Sequence, residues 1–370
     1  MSAFIRPELQ AFSAYSAHPK EPTGVTPTVV DHLDTNESAY DLPTPLKEKL
    51  AWEYQQAVLA NRYPDGDHEA LRQTIATYAE TAAQLPSGAI SRHQVTVGNG
   101  SDELIRSLLI ATCVGRPGAI LVAEPTFSMY KILAQTLGIE VVTVKRDEAT
   151  FAVDPIAAQT AIDNAAAPVR LIFMVSPNSP TGNGLTMAER EWLYQLPPDT
   201  LVVMDEAYFE FSLKTTLTEA LSRPNWVVTR TFSKAFRLAA HRVGYAIAAP
   251  DIIAVLEKVR LPYNLPSFSQ TAALLALHHA PEILAKVAEV QQERDRLLTA
   301  FSALPGLRTW PSEANFIYCR PIRRDLETVF QRLQERGTQV RQTHGGLRIT
   351  IGTPTENERT LAHLQQALGD

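Results

Sequence analysis

The sequence is short of the features that mark secreted, metal-bound or nucleic-acid-binding chains. Its 370 residues include only 2 cysteines, Cys113 and Cys319. They lie far apart in apolar surroundings and read as small buried hydrophobes, not as a disulfide or a metal site. A reducing, cytoplasmic setting is the matching expectation. The 9 histidines form no pair at helical i, i+4 spacing, and the adjacent His278 and His279 point to different faces of a helix, so no metal centre is expected. No stretch approaches the roughly 18 apolar residues of a membrane span, and the opening MSAFIRPELQAFSAYSAHPKEPTG has no basic start followed by an apolar core, so neither a span nor a signal peptide is expected. No lysine- and arginine-rich block stands out and the formal net charge is −6, which removes the electrostatic case for nucleic acid or an anionic membrane as partner. Small molecules are the expected partners. There is no internal repeat.

What is present is material for a large core. Apolar residues make up 45% and charged residues 20%, the balance of a globular chain long enough for two lobes. From Val95 to Ala249 short apolar runs alternate with helical patterns; the runs are QVTVGNG, AILVAEP, IEVVTVKRD, LIFMVSPN, LVVMDEAY, WVVTRTFSK and RVGYAIAAP. Several are continuously apolar, as strands covered on both faces are. Between them, SDELIRSLLIATC puts Leu104, Ile105, Leu108 and Leu109 on one helix face, and TMAEREWLYQL opens with Thr186 and Glu189 at capping-box spacing. The alternation predicts an α/β fold with a large, mostly parallel sheet flanked by helices. Past Pro266 the pattern changes to a long helix over roughly Pro281 to Leu304, then ANFIYCRP, the helix DLETVFQRLQERG, a strand pair in TQVRQTHGGLRITIGT and a last helix from near Thr355. We therefore expect a large domain over residues 45–265 and a smaller α+β lobe from residues 1–44 and 266–370.

The carboxyl ends of the predicted strands carry polar residues that the strands do not need. Asn178 follows one run, Asp205 and Tyr208 another, Ser233 and Lys234 a third, and TVGNGSDE turns through Gly98 and Gly100 into a helix. In a parallel sheet these ends meet in one crevice. A lysine removed there from bulk water, close to other cations, has a lowered pKa and is suited to a Schiff base with an aldehyde. The aldehyde that best suits the neighbours is pyridoxal 5'-phosphate. Asp205 could hold the proton on its ring nitrogen, and Asn178 and Tyr208 could donate to its ring oxygen. GNGSDE at a helix start, with Thr231, Ser233 and Arg242, could take its phosphate. Taken singly, Lys234 could be a solvated loop residue, Asp205 a helix cap, Asn178 a turn residue, and GNGSDE a partial dinucleotide pattern that ends in Glu103 where a glycine belongs. Their joint order on successive strands favours the common site.

SPNSPTGN, DEAYFEF, RTFSKAF with HRVGYAIA, and LRITIGT together resemble the signatures of fold-type I, pyridoxal-phosphate-dependent aminotransferases of classes I and II. NRYPDGDHEALRQTIATYA, VGNGSDELI, PTFSMY and PYNLPSFSQ are most similar to the histidinol-phosphate aminotransferase branch. The likeness runs from about Leu33 to Thr353. It implies Lys234 as the Schiff-base lysine and proton shuttle, Asp205 as the ring-nitrogen partner, and Asn178 and Tyr208 as donors to the ring oxygen, with Asn178 also facing substrate. Gly100, Ser101, Asp102, Thr231, Ser233 and Arg242 are implied at the phosphate, and Phe127 on the ring face. Tyr63 is implied to reach the partner subunit's cofactor in a homodimer with shared sites. Arg348 is implied to clamp the substrate carboxylate by the two-pronged geometry of guanidinium. Arg341 is our own candidate for a substrate phosphate. Arg237 and His241 depart from the pattern, and AYSAHPKEPTG matches only loosely the segment that closes over substrate.

The expected activity is transamination between glutamate and the histidinol-phosphate/imidazole-acetol-phosphate pair. The alternatives are an aromatic or general aminotransferase, or a decarboxylase of the threonine-phosphate type. From another class comes a cofactor-binding regulatory module without turnover, against which the Lys234–Asp205 pair argues.

Overall fold

In this computed structural model the described residues are 4–6, 9 and 27–369, so the expectation about AYSAHPKEPTG lies outside them. All seven apolar runs are strands of one sheet. They are β2 (Val95–Asn99), β3 (Ala119–Glu124), β4 (Glu140–Lys145), β5 (Val169–Val175), β6 (Leu201–Asp205), β7 (Trp226–Thr231) and β8 (Val243–Ala248), in spatial order β2-β8-β7-β6-β5-β3-β4. Only β8 runs antiparallel to its neighbours, so β2, β3, β5, β6 and β7 finish at the same edge. β7 and β8 are buried along their whole length; β8 reads as an unbroken apolar or small-residue run, and β7 carries Arg230, whose buried charge Glu206 pairs.

Helices cover both faces. Ser101–Cys113 buries Leu104, Ile105, Leu108 and Leu109, the stripe its spacing predicts. At Met187–Gln195 Thr186 and Glu189 form the capping box, each satisfying an end-of-helix N–H of the other. The second sheet, in order β1-β11-β12-β10-β9, comprises β1 (Asp31–Leu33), β9 (Leu307–Thr309), β10 (Phe316–Pro321), β11 (Thr338–Thr343) and β12 (Gly346–Thr350). β1 brings residues 31–33 beside β11 in parallel register.

Two features differ from the sequence reading. The long helix expected from Pro281 to Leu304 is two helices, Ala280–Leu284 and Val287–Ser302. The Arg237 guanidinium donates to the Ile283 carbonyl at 2.6 Å, and an oxygen so engaged competes with the helical ladder that would have continued through it. Arg237 also donates to the Asp41 carbonyl at 3.1 Å and lies over the Tyr40 ring, so it staples the entering chain to the helix break. The helix Ser267–His278 packs on the helices Thr44–Ala57 and Glu69–Ala82, and Leu265, Ala272, Ala273 and Ile283 join the apolar cluster of the large sheet. The apolar packing of the large sheet thus runs past the expected border at residue 266 as far as Ile283.

Candidate active site

The shared strand edge opens into a cavity of about 190 Å³ lined by Thr35, Phe127, Ser179, Asp205, Tyr208, Lys234, Arg242, Arg341 and Arg348 among others. Both lobes contribute. Lys234 follows β7 and its Nζ donates to the Thr35 carbonyl at 2.7 Å. Burial, then the charge of Arg348, pulls the Lys234 ammonium down to about 7. Near neutral pH this amine is divided between a charged and a nucleophilic form.

Asp205 ends β6, is buried, and accepts hydrogen bonds from Tyr130 Oη at 2.5 Å and the Ala207 N–H at 3.1 Å. Burial raises its carboxyl to about 6, against the lowering effect of Tyr130. The neighbouring Glu206 turns away: it pairs with Arg230 at 2.9 Å, both side chains being 1% exposed, and accepts from Thr215 and Thr216. Of these two neighbours, Asp205 is the carboxylate that faces the cavity.

The phosphate cradle forms where β2 passes into Ser101–Cys113. Gly100 holds φ +76°, and a Cβ there would strike the Arg242 guanidinium; a Cβ on Gly244 would come within 2.6 Å of Ser101 N. Backbone thus approaches close enough to leave the first N–H groups of the helix for an anion. Thr231 and Ser233 hydroxyls lie 3.0 Å apart, and Arg242 donates to Ser233 Oγ at 3.2 Å. The Asp102 side chain pairs with Arg242 at 3.3 Å; as a carboxylate it repels an anion, so its N–H is the part suited to phosphate. The residues fit pyridoxal 5'-phosphate: a lysine for its aldehyde, a buried carboxylate for its ring nitrogen, an aromatic face in Phe127 and a basic helix terminus for its phosphate.

Asn178, like Tyr63 and Gly100, is not among the residues that line the cavity. It is fully buried, donates to the Pro125 carbonyl at 3.0 Å and Thr181 Oγ1 at 2.6 Å, and accepts from Thr126 and Arg146. With its amide engaged on both sides it braces the loop after β5, and the next residue, Ser179, faces the cavity instead. Ser179 Oγ accepts from Arg348 at 3.1 Å. Arg348 also donates to the Asp34 carbonyl at 2.5 Å, and Arg341 stands opposite it in the β11–β12 pair. Tyr63 does not enter the cavity of its own chain; it is 80% exposed and stacks on Tyr263 at 4.5 Å. His241 is half-buried against Phe268.

Sequence reasoning passed over Tyr130, Ser179 and the strap Asp34–Asn36. Tyr130 is fully buried and stacked on Phe173 at 4.4 Å. The signal was available for Ser179, which sits between two prolines in SPNSPTG, and weak for Tyr130. Among the described residues no His, Cys, Asp or Glu cluster suited to a metal forms, and no helix is long and apolar enough to cross a membrane.

Residues 29–364 match the family model "Aminotransferase class I and II". The chain is 56% identical to the histidinol-phosphate aminotransferase of Thermosynechococcus vestitus over 100% of this chain and 98% of that protein. It is 54% identical to histidinol-phosphate aminotransferase 2 of a Nostoc species, with the same coverage. Among solved structures it resembles the histidinol-phosphate aminotransferase of Sinorhizobium meliloti in complex with pyridoxal-5'-phosphate, with TM-score 0.83, 20% identity and coverage of 100% and 98% of the two chains. It also resembles an L-threonine-O-3-phosphate decarboxylase from Porphyromonas gingivalis, with TM-score 0.75, 20% identity and coverage of 92% and 99%. At that identity the likeness concerns the fold, which accommodates both reactions.

Proposed function

The chain belongs to the class I and II aminotransferase family, and from that premise we propose that it transfers an amino group between glutamate and imidazole-acetol phosphate, forming L-histidinol phosphate and 2-oxoglutarate. The observation that carries this reading is the full-length identity of 56% and 54% to histidinol-phosphate aminotransferases, joined to a cavity in which Lys234, Asp205 and two facing arginines converge.

Pyridoxal 5'-phosphate, when bound, supplies an aldehyde for the amino group and a protonated ring that accepts the electron pair left at the substrate's α carbon. Asp205 holds the proton on the ring nitrogen; above its titration near 6 it is ionised and suited to that task. Lys234 Nζ takes the α-proton and returns it, a role that its titration near 7 supports. Tyr208 and Ser179 line the cavity, and Tyr208 would donate to the ring oxygen. Arg348 clamps a carboxylate, and Arg341 beside it gives a second cation for a doubly anionic substrate or a phosphate.

We further propose that the protein acts as a cytoplasmic homodimer. Tyr63, at 80% exposure, stacks on the exposed Tyr263, an aromatic pair that pairing of subunits would cover, and Tyr63 would then serve the partner's cofactor phosphate. The function is tested by assaying glutamate with imidazole-acetol phosphate against a panel of aliphatic and aromatic 2-oxo acids. The highest kcat/KM is expected with imidazole-acetol phosphate; a higher value with an aromatic oxo acid, or no product, overturns the reading.

A further inference from the structure

Tyr208 is held by a residue that lies far from it in sequence. Asn36 Nδ2 donates to Tyr208 Oη at 2.9 Å. Asn36 is 1% exposed and has φ +56°, a left-handed conformation that asparagine tolerates better than most residues. Its amide cannot turn over without cost. Thr350 Oγ1 accepts from the Asn36 N–H at 3.1 Å, so its own proton goes to Asn36 Oδ1 at 3.2 Å, which leaves Nδ2 for Tyr208. The Asn36 carbonyl accepts from Asn315 Nδ2 at 3.1 Å. Thr350 ends β12 and Asn315 precedes β10, so Asn36 is pinned to the small lobe while it reaches a tyrosine that follows β6 of the large one.

The second donor to Tyr208 is Ser179. Arg348 donates to Ser179 Oγ at 3.1 Å, which frees the serine proton for the Tyr208 oxygen. Burial raises the Tyr208 hydroxyl above its usual range, and the hydrogen bonds from Asn36 and Ser179 act against it. With its oxygen taken by two donors, Tyr208 has one proton left to give. Its ring is fixed edge-on to Phe316 at 5.1 Å, and the hydroxyl lines the cavity with Asp205 and Lys234.

We propose that Asn36 is a positioning residue that directs the Tyr208 proton into the cavity, toward the cofactor's ring oxygen, and makes that hydrogen bond depend on where the small lobe sits. The inference rests on the cavity being the pyridoxal-phosphate site.

The test uses the holoenzyme and reads the pH midpoint of the cofactor's visible absorbance, with the rate of cofactor release as a second readout. A donor to the ring oxygen stabilises its negative charge and weakens its hold on a proton, so losing the donor raises the midpoint. Asn36→Gly keeps the left-handed backbone and its contacts to Thr350 and Asn315 while deleting the amide. It is expected to raise the midpoint by roughly one pH unit and to speed cofactor release, as Tyr208→Phe does. The double variant is expected to match Tyr208→Phe alone. An unmoved midpoint in Asn36→Gly, or shifts that add in the double variant, overturns the proposal. Should Asn36→Gly fail to fold, Thr350→Val removes the hydroxyl that orients the amide and is expected to shift the midpoint the same way; no shift there overturns the proposal equally. A wild-type protein with no visible band refutes the cofactor reading, and this inference with it. A wild-type band that Asn36→Gly leaves unmoved refutes only the inference.

Discussion

Tyr130→Phe removes one oxygen and nothing else, and its effect can be worked out from the pocket. That oxygen donates to Asp205 at 2.5 Å in a fully buried setting. A hydrogen bond to a charged group contributes about 1.5–3 kcal/mol, which corresponds to roughly 1–2 pH units. Asp205 already titrates near 6 because burial disfavours its charge, so the variant carboxyl is expected to titrate near 7 to 8 by the same arithmetic. The sign follows from the raised value. Pairing with a protonated ring nitrogen needs the ionised carboxyl, which is present above the folded-state pKa and is lost as pH falls through it. Cofactor affinity, measured by titration against pH in a Lys234→Ala background so that covalent capture does not mask it, should therefore drop in Tyr130→Phe by roughly fivefold to fiftyfold near pH 6. The two proteins should converge above about pH 8.5, where both carboxyls are ionised. Titration of the cofactor itself is common to both proteins and cancels in the ratio. A loss that is the same at every pH would mean that Tyr130 only fills space, and no loss would remove it from the Asp205 environment.

Lys234→Ala should retain pyridoxal 5'-phosphate but lose turnover, and borohydride should no longer fix the cofactor to the chain; measurable steady-state activity in that variant would refute the role of Lys234. Replacing Arg348 with lysine should weaken glutamate by about 1.5–3 kcal/mol in single-turnover measurements, since the two-pronged contact is lost. Arg341→Ala should impair the half-reaction with histidinol phosphate more than that with glutamate, and equal losses would remove its phosphate role. Mixing inactive Lys234→Ala and Tyr63→Ala subunits should restore part of the activity through heterodimers with one intact site, whereas a fully active monomer in sedimentation would rule out shared sites.

The large sheet was legible because its inner strands are buried on both faces, so β5 and β6 stand out as apolar runs with polar residues only near their ends. Lys234, Asp205 and Arg242 followed from that pattern. Asn178 shows what a sequence does not reveal about a loop: adjacent residues point in opposite directions, and only the structure shows that Thr126, Thr181 and Arg146 engage its amide. Tyr130 was hidden because an aromatic in the first turn of a helix reads as core, and its contact with Asp205 spans 75 residues. The strap was less visible still. Thr35 meets Lys234 across 199 positions and Asn36 meets Thr350 across 314, and no local pattern encodes such pairings. The break after Leu284 depends likewise on Arg237, a residue of another segment.

The central claim concerns one amino group moving at one lysine-bearing cavity, and a single half-reaction tests it. L-histidinol phosphate is added to the yellow holoenzyme without any acceptor, and the visible band is followed together with product. The expected result is bleaching of the band with one equivalent of imidazole-acetol phosphate per site, and return of the colour with formation of glutamate when 2-oxoglutarate is added. A band that histidinol phosphate leaves unchanged, or carbon dioxide released catalytically from a phosphorylated amino acid such as threonine phosphate with the band retained, would contradict it.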